Sequence, residues 1–217
     1  MPKSVEGEIT GMHTYDNITE FQLDAFREIG TIGAGNGATA LSQLMNRKIG
    51  MSVPAIKILP FSEVPDEVGG PETLVTGIIT TVEGAAPCNI LFLFPVASAK
   101  FLADKLLGGN TGNEDTFSDM EKSALSELVN IVSGAYLNSL ASFTGLRFTP
   151  SVPALAIDMA GAILDTVLAQ IGIAGDRALL LQTEFNETEE KNVTGHFFLL
   201  PEEDSLEKIL QSIGVKG

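Results

Sequence analysis

Apolar residues recur at helical spacing over residues 21–46 and again over 117–143, and each stretch predicts a long amphipathic helix. The second opens with Ser118 and has Glu121 three residues later, the pattern of a capping box. Runs rich in β-branched and aromatic residues at 53–59, 73–81, 89–94, 178–185 and 193–200 predict strands. Residues 97–107 and 204–213 read as short amphipathic helices, and 158–170 as a further helix. Residues 1–16 lack such a pattern and read as a flexible N-terminal tail. The sum is an α/β domain in which long helices cover a mainly antiparallel sheet.

Laid over itself with a shift of 99 residues, the chain repeats. Between 24–58 and 123–157, 10 of 35 positions are identical without a gap, and SVPA occurs at Ser52 to Ala55 and at Ser151 to Ala154. A second echo, LFLFP ending at Pro95 and FFLLP ending at Pro201, is shifted by 106, so the second copy carries about seven extra residues (106 − 99). Helix 158–170 is the expected insertion. One module used twice is the reading: a single domain over 17–217, with copies at about 17–110 and 116–217 and a pseudo-two-fold axis between them.

Composition narrows the function classes. Hydrophobic residues make up 44 % of 217, enough for a substantial core. The longest apolar run, near 89–96, is too short to span a bilayer, and the first residues show no signal-peptide core, which predicts a cytoplasmic protein without membrane insertion. The lone Cys88 permits no internal disulfide and reads as a small core residue. A net charge of −15, with 13 Lys+Arg against 28 Asp+Glu, leaves no basic stripe for nucleic acid. Two histidines, His13 and the strand-borne His196, make neither a zinc site nor a histidine-dependent hydrolase, so no metal or cofactor is expected in this chain.

Each long helix carries a polar stripe that ends in a glycine. Ser123, Glu127, Asn130 and Gly134 fall on one narrow helical face, and Asp24, Glu28, Thr31 and Gly35 do the same in the first copy. Their neighbours are apolar: Leu125, Leu128, Val129, Ile131 and Val132, or Phe26, Ile29 and Ile32. A lone Glu-x-x-Asn is usually a solvated face; a glutamate kept at one place in two diverged copies argues for use. A carboxylate and an amide without nucleophile or metal make no self-contained hydrolase, but they can complete a site held by another protein. The amide can donate and accept, and so can orient a water; the carboxylate can hold an ammonium group. Hydrolysis of an acyl phosphate needs little beyond an in-line water and charge compensation.

These motifs resemble the CheC/CheX/FliY family of response-regulator phosphatases, whose signature is Asp or Ser, three residues, Glu, two residues, Asn, twenty-two residues and Pro. Ser123, Glu127, Asn130 and Pro153 match it in full; Asp24, Glu28 and Pro54 match it with Thr31 in the asparagine place. REIGTIGAGNGATALS and LSELVNIVSGAYLNSLA are further phrases similar to the family, and the resemblance covers about residues 20–215. It implies a CheC-like duplicated fold and a phosphatase that removes the aspartyl phosphate of the response regulator CheY. Asn130 would orient the attacking water and Glu127 would pair with the regulator's active-site lysine, with magnesium supplied by the regulator. Thr31 has a shorter side chain and one donor, so the Glu28 site is expected to be weak or silent. A second implied partner is the receptor deamidase CheD, docking on a helix similar to LAIDMAGAIL, with Asp158 in its patch.

Two other readings stand beside this one. The stretch from Gly33 to Ala38 formally fits G-x-G-x-x-A, but it lies inside a predicted helix rather than after a strand, which argues against a dinucleotide and for close helix packing. A non-catalytic flagellar-switch protein, or a module that only sequesters the regulator, is the alternative function. The switch proteins append a further domain, for which the sequence after the last predicted helix offers little length.

Overall fold

The computed structural model describes residues 18–109, 116–171, 177–187, 191–202 and 204–213; the expected tail at 1–16 lies outside them. The two long helices are α1 (Glu20–Met45) and α3 (Asp119–Thr144). The strands are β1 (Ile49–Pro60), β2 (Leu74–Gly84), β3 (Cys88–Pro95), β4 (Phe148–Pro150), β5 (Ala154–Met159), β6 (Arg177–Glu187) and β7 (Lys191–Pro201). The shorter helices are α2 (Val96–Leu106), α4 (Ala160–Ile171) and α5 (Ser205–Ser212), and a 3-10 helix spans Phe61–Val68.

The seven strands among the described residues join one antiparallel sheet in the order β1-β6-β7-β3-β2, with β4 and β5 both on the far edge of β2. Exchanging the two copies (β1 for β4/β5, β2 for β6, β3 for β7) reverses this order onto itself. The pseudo-two-fold axis therefore passes between β3 and β7, which pair directly from Cys88↔Pro201 to Leu93↔His196. Each copy's first strand adds to the other copy's hairpin, so the halves interlock in one sheet.

Alternation along β3 explains why both sheet faces are covered. Ile90, Phe92 and Phe94 join the larger core under α1, α2, α3 and α5, while Leu91 and Leu93 join a smaller core under α4 and the 3-10 helix. Cys88 is fully buried on β3, and burial together with Glu202 pushes its thiol up to about 12. His196 is buried in β7, and burial pushes its imidazole below its ordinary value.

The repeated SVPA marks a break in each edge strand. The β1–β6 register shifts between Ser52 and Ala55, and the equivalent edge is divided into β4 and β5 around Ser151–Pro153. Proline lacks a donor for the ladder, so Pro54 and Pro153 sit where pairing is interrupted at an edge.

Two expectations are corrected. Residues 154–159 form strand β5 against β2, so the helix expected over 158–170 starts only at Ala160, and Asp158 and Met159 belong to the strand. The first free N–H groups of α4 are satisfied by loop carbonyls, Ala160 by Thr73 and Gly161 by Pro71 at 2.9 Å each, so Asp158 is not their cap. Nor is that helix wholly an insertion. The 3-10 helix holds its place in the first copy, and α4 exceeds it by four residues (12 − 8) of the seven.

Gly33 and Gly37 of α1 do serve close packing on α3. A Cβ at Gly33 would lie 2.6 Å from Tyr136 Cδ1, and one at Gly37 3.6 Å from Ala135 on α3. Asn36 Nδ2 also donates to Ser139 Oγ at 3.5 Å across the helix pair.

Candidate active site on the paired helices

Both site helices start in the same way. Ser118 N–H and Oγ–H donate to Glu121 Oε2 at 2.7 and 2.8 Å, and the Glu121 N–H donates to Ser118 Oγ at 3.3 Å. At the equivalent place in α1, Thr19 N–H donates to Gln22 Oε1 at 2.7 Å and Gln22 N–H returns to Thr19 Oγ1 at 3.3 Å. The Ser118 box was legible in the sequence; the Thr19 box is closed by a neutral glutamine instead of a carboxylate and has a weaker signature. Glu121 is wholly buried and pairs with Lys100 Nζ at 3.0 Å; the same ammonium donates to Thr116 O and lies 4.4 Å from the Phe117 ring centroid. Burial pushes the Glu121 carboxyl up, but the Ser118 hydrogen bonds and Lys100 outweigh it and hold it below its ordinary value.

From that anchored start, α3 buries Leu125, Leu128, Val129 and Val132 against the sheet. The opposite face leaves Ser123, Glu127 and Asn130 exposed, with Ile131 half-buried beside them. Neither Glu127 nor Asn130 has a hydrogen-bond or ion-pair partner among the described residues. The pair is thus presented to solvent on a rigid, continuous helix, with both amide functions and both carboxylate oxygens available.

The first stripe is placed alike but differs chemically. Asp24, Glu28 and Thr31 are exposed on α1. Thr31 Oγ1 donates to Arg27 O at 2.8 Å, and Asp24 forms an ion pair with Arg27 Nη1. Arg27 stands where the second copy has Ser126 (27 + 99), whose hydroxyl bonds back to Lys122 O at 2.9 Å. A cation therefore borders the Glu28 stripe and no equivalent cation borders Glu127 from that position. Sequence reasoning missed this difference although the offset exposes it.

Asp158 lies apart from both stripes, exposed at the end of β5. Its Oδ1 accepts the Met159 N–H at 2.8 Å. It borders a groove of about 190 Å³ between β5, β2 and α4, lined by Gly77, Leu91, Ala156, Ile163 and Val167. Among the described residues, no three His, Cys, Asp or Glu side chains come together as a metal site, and no helix is long and apolar enough to cross a membrane.

The CheC-like family model matches the chain twice, over residues 21–58 and 120–157, and the two matches are 99 residues apart at both ends (120 − 21 and 157 − 58). The CheY-P phosphatase CheC of Bacillus subtilis is 38 % identical over 206 residues, covering 94 % of this chain and 99 % of that protein. Among solved structures, Thermotoga maritima FliY superposes with a TM-score of 0.73 at 19 % identity, over 91 % of this chain and 98 % of that one. The FliM middle domain of Helicobacter pylori superposes with a TM-score of 0.66 at 16 % identity, over 90 % of this chain and 99 % of that one. These two share the fold, while the close, nearly full-length sequence match settles descent: the chain belongs to the CheC-like family.

Proposed function

We propose that the chain is a phosphatase that hydrolyses the aspartyl phosphate of CheY, and that α3 carries its working site. The observation that carries this reading is the exposed, unpartnered pair Glu127 and Asn130 on one rigid helix face. In the proposed complex the Asn130 amide accepts a hydrogen bond from a water and turns its lone pair toward phosphorus. The water oxygen attacks in line, the bond from phosphorus to the aspartate oxygen breaks, and inorganic phosphate and a free carboxylate leave. Glu127 binds the regulator's lysine ammonium and fixes the register of the two proteins. Ser123 flanks this pair, and magnesium is held by the regulator.

The experiment follows loss of phosphate from phosphorylated CheY with and without the chain. Faster loss with wild type, abolished by Asn130→Ala, supports the reading. Binding of the phosphorylated regulator with no change in its decay would instead make the chain a sequestering module.

The finer expectation, docking of CheD at Asp158, draws support from that side chain's exposure beside an apolar groove. Asp158→Lys should weaken binding of CheD in a titration while leaving phosphatase activity near wild type; equal affinities would remove Asp158 from the docking patch.

A further inference from the structure

Each polar stripe ends in a glycine in mid-helix, Gly35 on α1 and Gly134 on α3, 99 residues apart. Glycine inside a helix is unfavourable relative to alanine, because its backbone loses more freedom on folding and it contributes no side chain to packing. Elsewhere on α1 that cost has an internal reason. A Cβ at Gly30 would meet Leu181 Cδ2 at 3.0 Å, one at Gly33 would meet Tyr136 at 2.6 Å, and one at Gly37 would meet Met51 Sδ at 3.3 Å. At Gly35 and Gly134 a Cβ would meet nothing within 4 Å among the described residues, and neither residue has a positive φ. Neither the packing of the described residues nor the backbone conformation requires glycine at either place. Both glycines nonetheless sit one turn beyond Thr31 or Asn130, on the same helical face.

The other end of each stripe is also matched. Phe21 and Met120, equivalent under the same shift, are each 66 % exposed although large and apolar. They lie on the side of the helix that carries Glu28 or Glu127, two turns before the glutamate. From Met120 to Gly134 the helix rises about 21 Å. In that span the face runs from an apolar knob, past the glutamate and the amide, to a hollow with no side chain.

We propose that this whole face of α3 is the docking footprint for the phosphorylated response regulator, with Gly134 admitting a loop of that partner against the helix backbone and Met120 seating in an apolar depression at the far end. The inference rests on the proposed phosphatase reading and extends it, since Asn130 can reach a water on phosphorus only if the partner's phosphate-bearing loop comes close to the helix axis. A side chain at 134 would hold that loop away, which weakens docking and shifts the amide, a misplacement that costs up to about 10²-fold in kcat/KM. Gly134 is in this sense a positioning residue and takes no part in the chemistry. The duplication preserves the same hollow at Gly35, where Thr31 has lost the amide.

Gly134→Ala and Gly134→Leu test the inference against phosphorylated CheY, with Asn130→Ala beside them. Both glycine variants should unfold at or above the wild-type temperature, since the added atoms enter open space and improve helix propensity. Their KM for the regulator should rise by about tenfold for alanine and further for leucine, and kcat at saturation should fall less than KM rises for alanine. Met120→Ser should raise KM alone. If wild type speeds dephosphorylation and Asn130→Ala does not, yet Gly134→Leu keeps the wild-type kcat/KM, the footprint is wrong while the phosphatase reading stands. If wild type itself has no effect on the phosphorylated regulator, the underlying reading fails first. A lowered unfolding temperature in both glycine variants would show an internal packing role and overturn the premise.

Discussion

The Thr31 hydroxyl donates its only proton to the carbonyl of Arg27, 2.8 Å away on the preceding turn of its own helix. Back-bonding of this kind is common for threonine in helices and leaves the oxygen only its acceptor capacity. Asn130, at the same place in the other copy, makes no such bond among the described residues and keeps two donors and an acceptor. The two sites thus differ in what they can offer a water, although their helices and their glutamates match.

An ordered series of activities follows from that difference. Asn130→Ala should remove most of the phosphatase activity, on the order of 10²–10³-fold for loss of a preorganised polar group, limited below by the regulator's own hydrolysis. Glu28→Ala should cost little. Thr31→Asn should raise activity by up to about twofold if the sites act independently. Arg27→Ser added to Thr31→Asn should raise it further by removing the cation beside Glu28. Phosphate release at saturating phosphorylated CheY reads all four; full activity in Asn130→Ala with none in Glu28→Ala would reverse the assignment of the sites.

Gly33 and Gly35 are two residues apart on α1 and should respond to alanine with opposite signs. The Gly33 Cβ would fall 2.6 Å from Tyr136 Cδ1 and 3.1 Å from Tyr136 Cα, so α3 itself would have to shift, at a cost of roughly 1–3 kcal/mol. Gly35→Ala adds a methyl group to open space and should stabilise by up to about 1 kcal/mol. Urea unfolding of the two variants measures both, and a loss of stability in each would place Gly35 in the helix packing as well.

Periodicity made the long helices and the five longer strands legible, because their side chains meet the core at regular intervals whatever their partners. Residues 148–159 were not legible in that way. Phe148–Pro150 and Ala154–Met159 are short edge strands that exist through pairing with β2, and that pairing overrides the helical look of LAIDMAGAIL. The shift of 99 announced two copies but not that each lends its first strand to the other, since an offset contains no information about pairing partners. The Glu127 and Asn130 stripe was readable from spacing alone. The Asp24–Arg27 ion pair and the Thr31 back-bond were not legible from spacing, because both depend on side-chain rotamers.

Cys88 should be chemically silent in the folded chain. It is fully buried in the central strand β3, and its thiol is pushed up to about 12, so the reactive thiolate is scarce at neutral pH. A thiol reagent such as DTNB at pH 8 should label it only as the chain unfolds in urea, and fast labelling in native buffer would contradict the placement of β3.

The start of α3 should be the acid-sensitive end of the site helix. Glu121 is wholly buried, bonded by Ser118 and Lys100, and its carboxyl lies below the ordinary value of 4.5. A carboxyl lowered on folding contributes stability that is fully present above its unfolded pKa and is lost as pH falls through the folded one. The wild type should therefore weaken below about pH 4.3, and Glu121→Gln should lose this contribution to the pH dependence. The first copy shows that glutamine suits the same cap, since Gln22 accepts from Thr19 N at 2.7 Å, so Glu121→Gln should keep the cap and lose at pH 7 only what the carboxylate charge contributes. Lys100→Met is different. It leaves a buried carboxylate without its counter-ion and should destabilise by about 3 kcal/mol at pH 7. Adding Glu121→Gln to Lys100→Met removes the stranded charge and should restore most of that loss, giving a large coupling between the two positions. Urea midpoints of the two single variants and the double variant at pH 7 and pH 4 decide it: additive losses at pH 7 would mean that Lys100 supports α3 through its contacts with Thr116 and Phe117 rather than through the Glu121 charge.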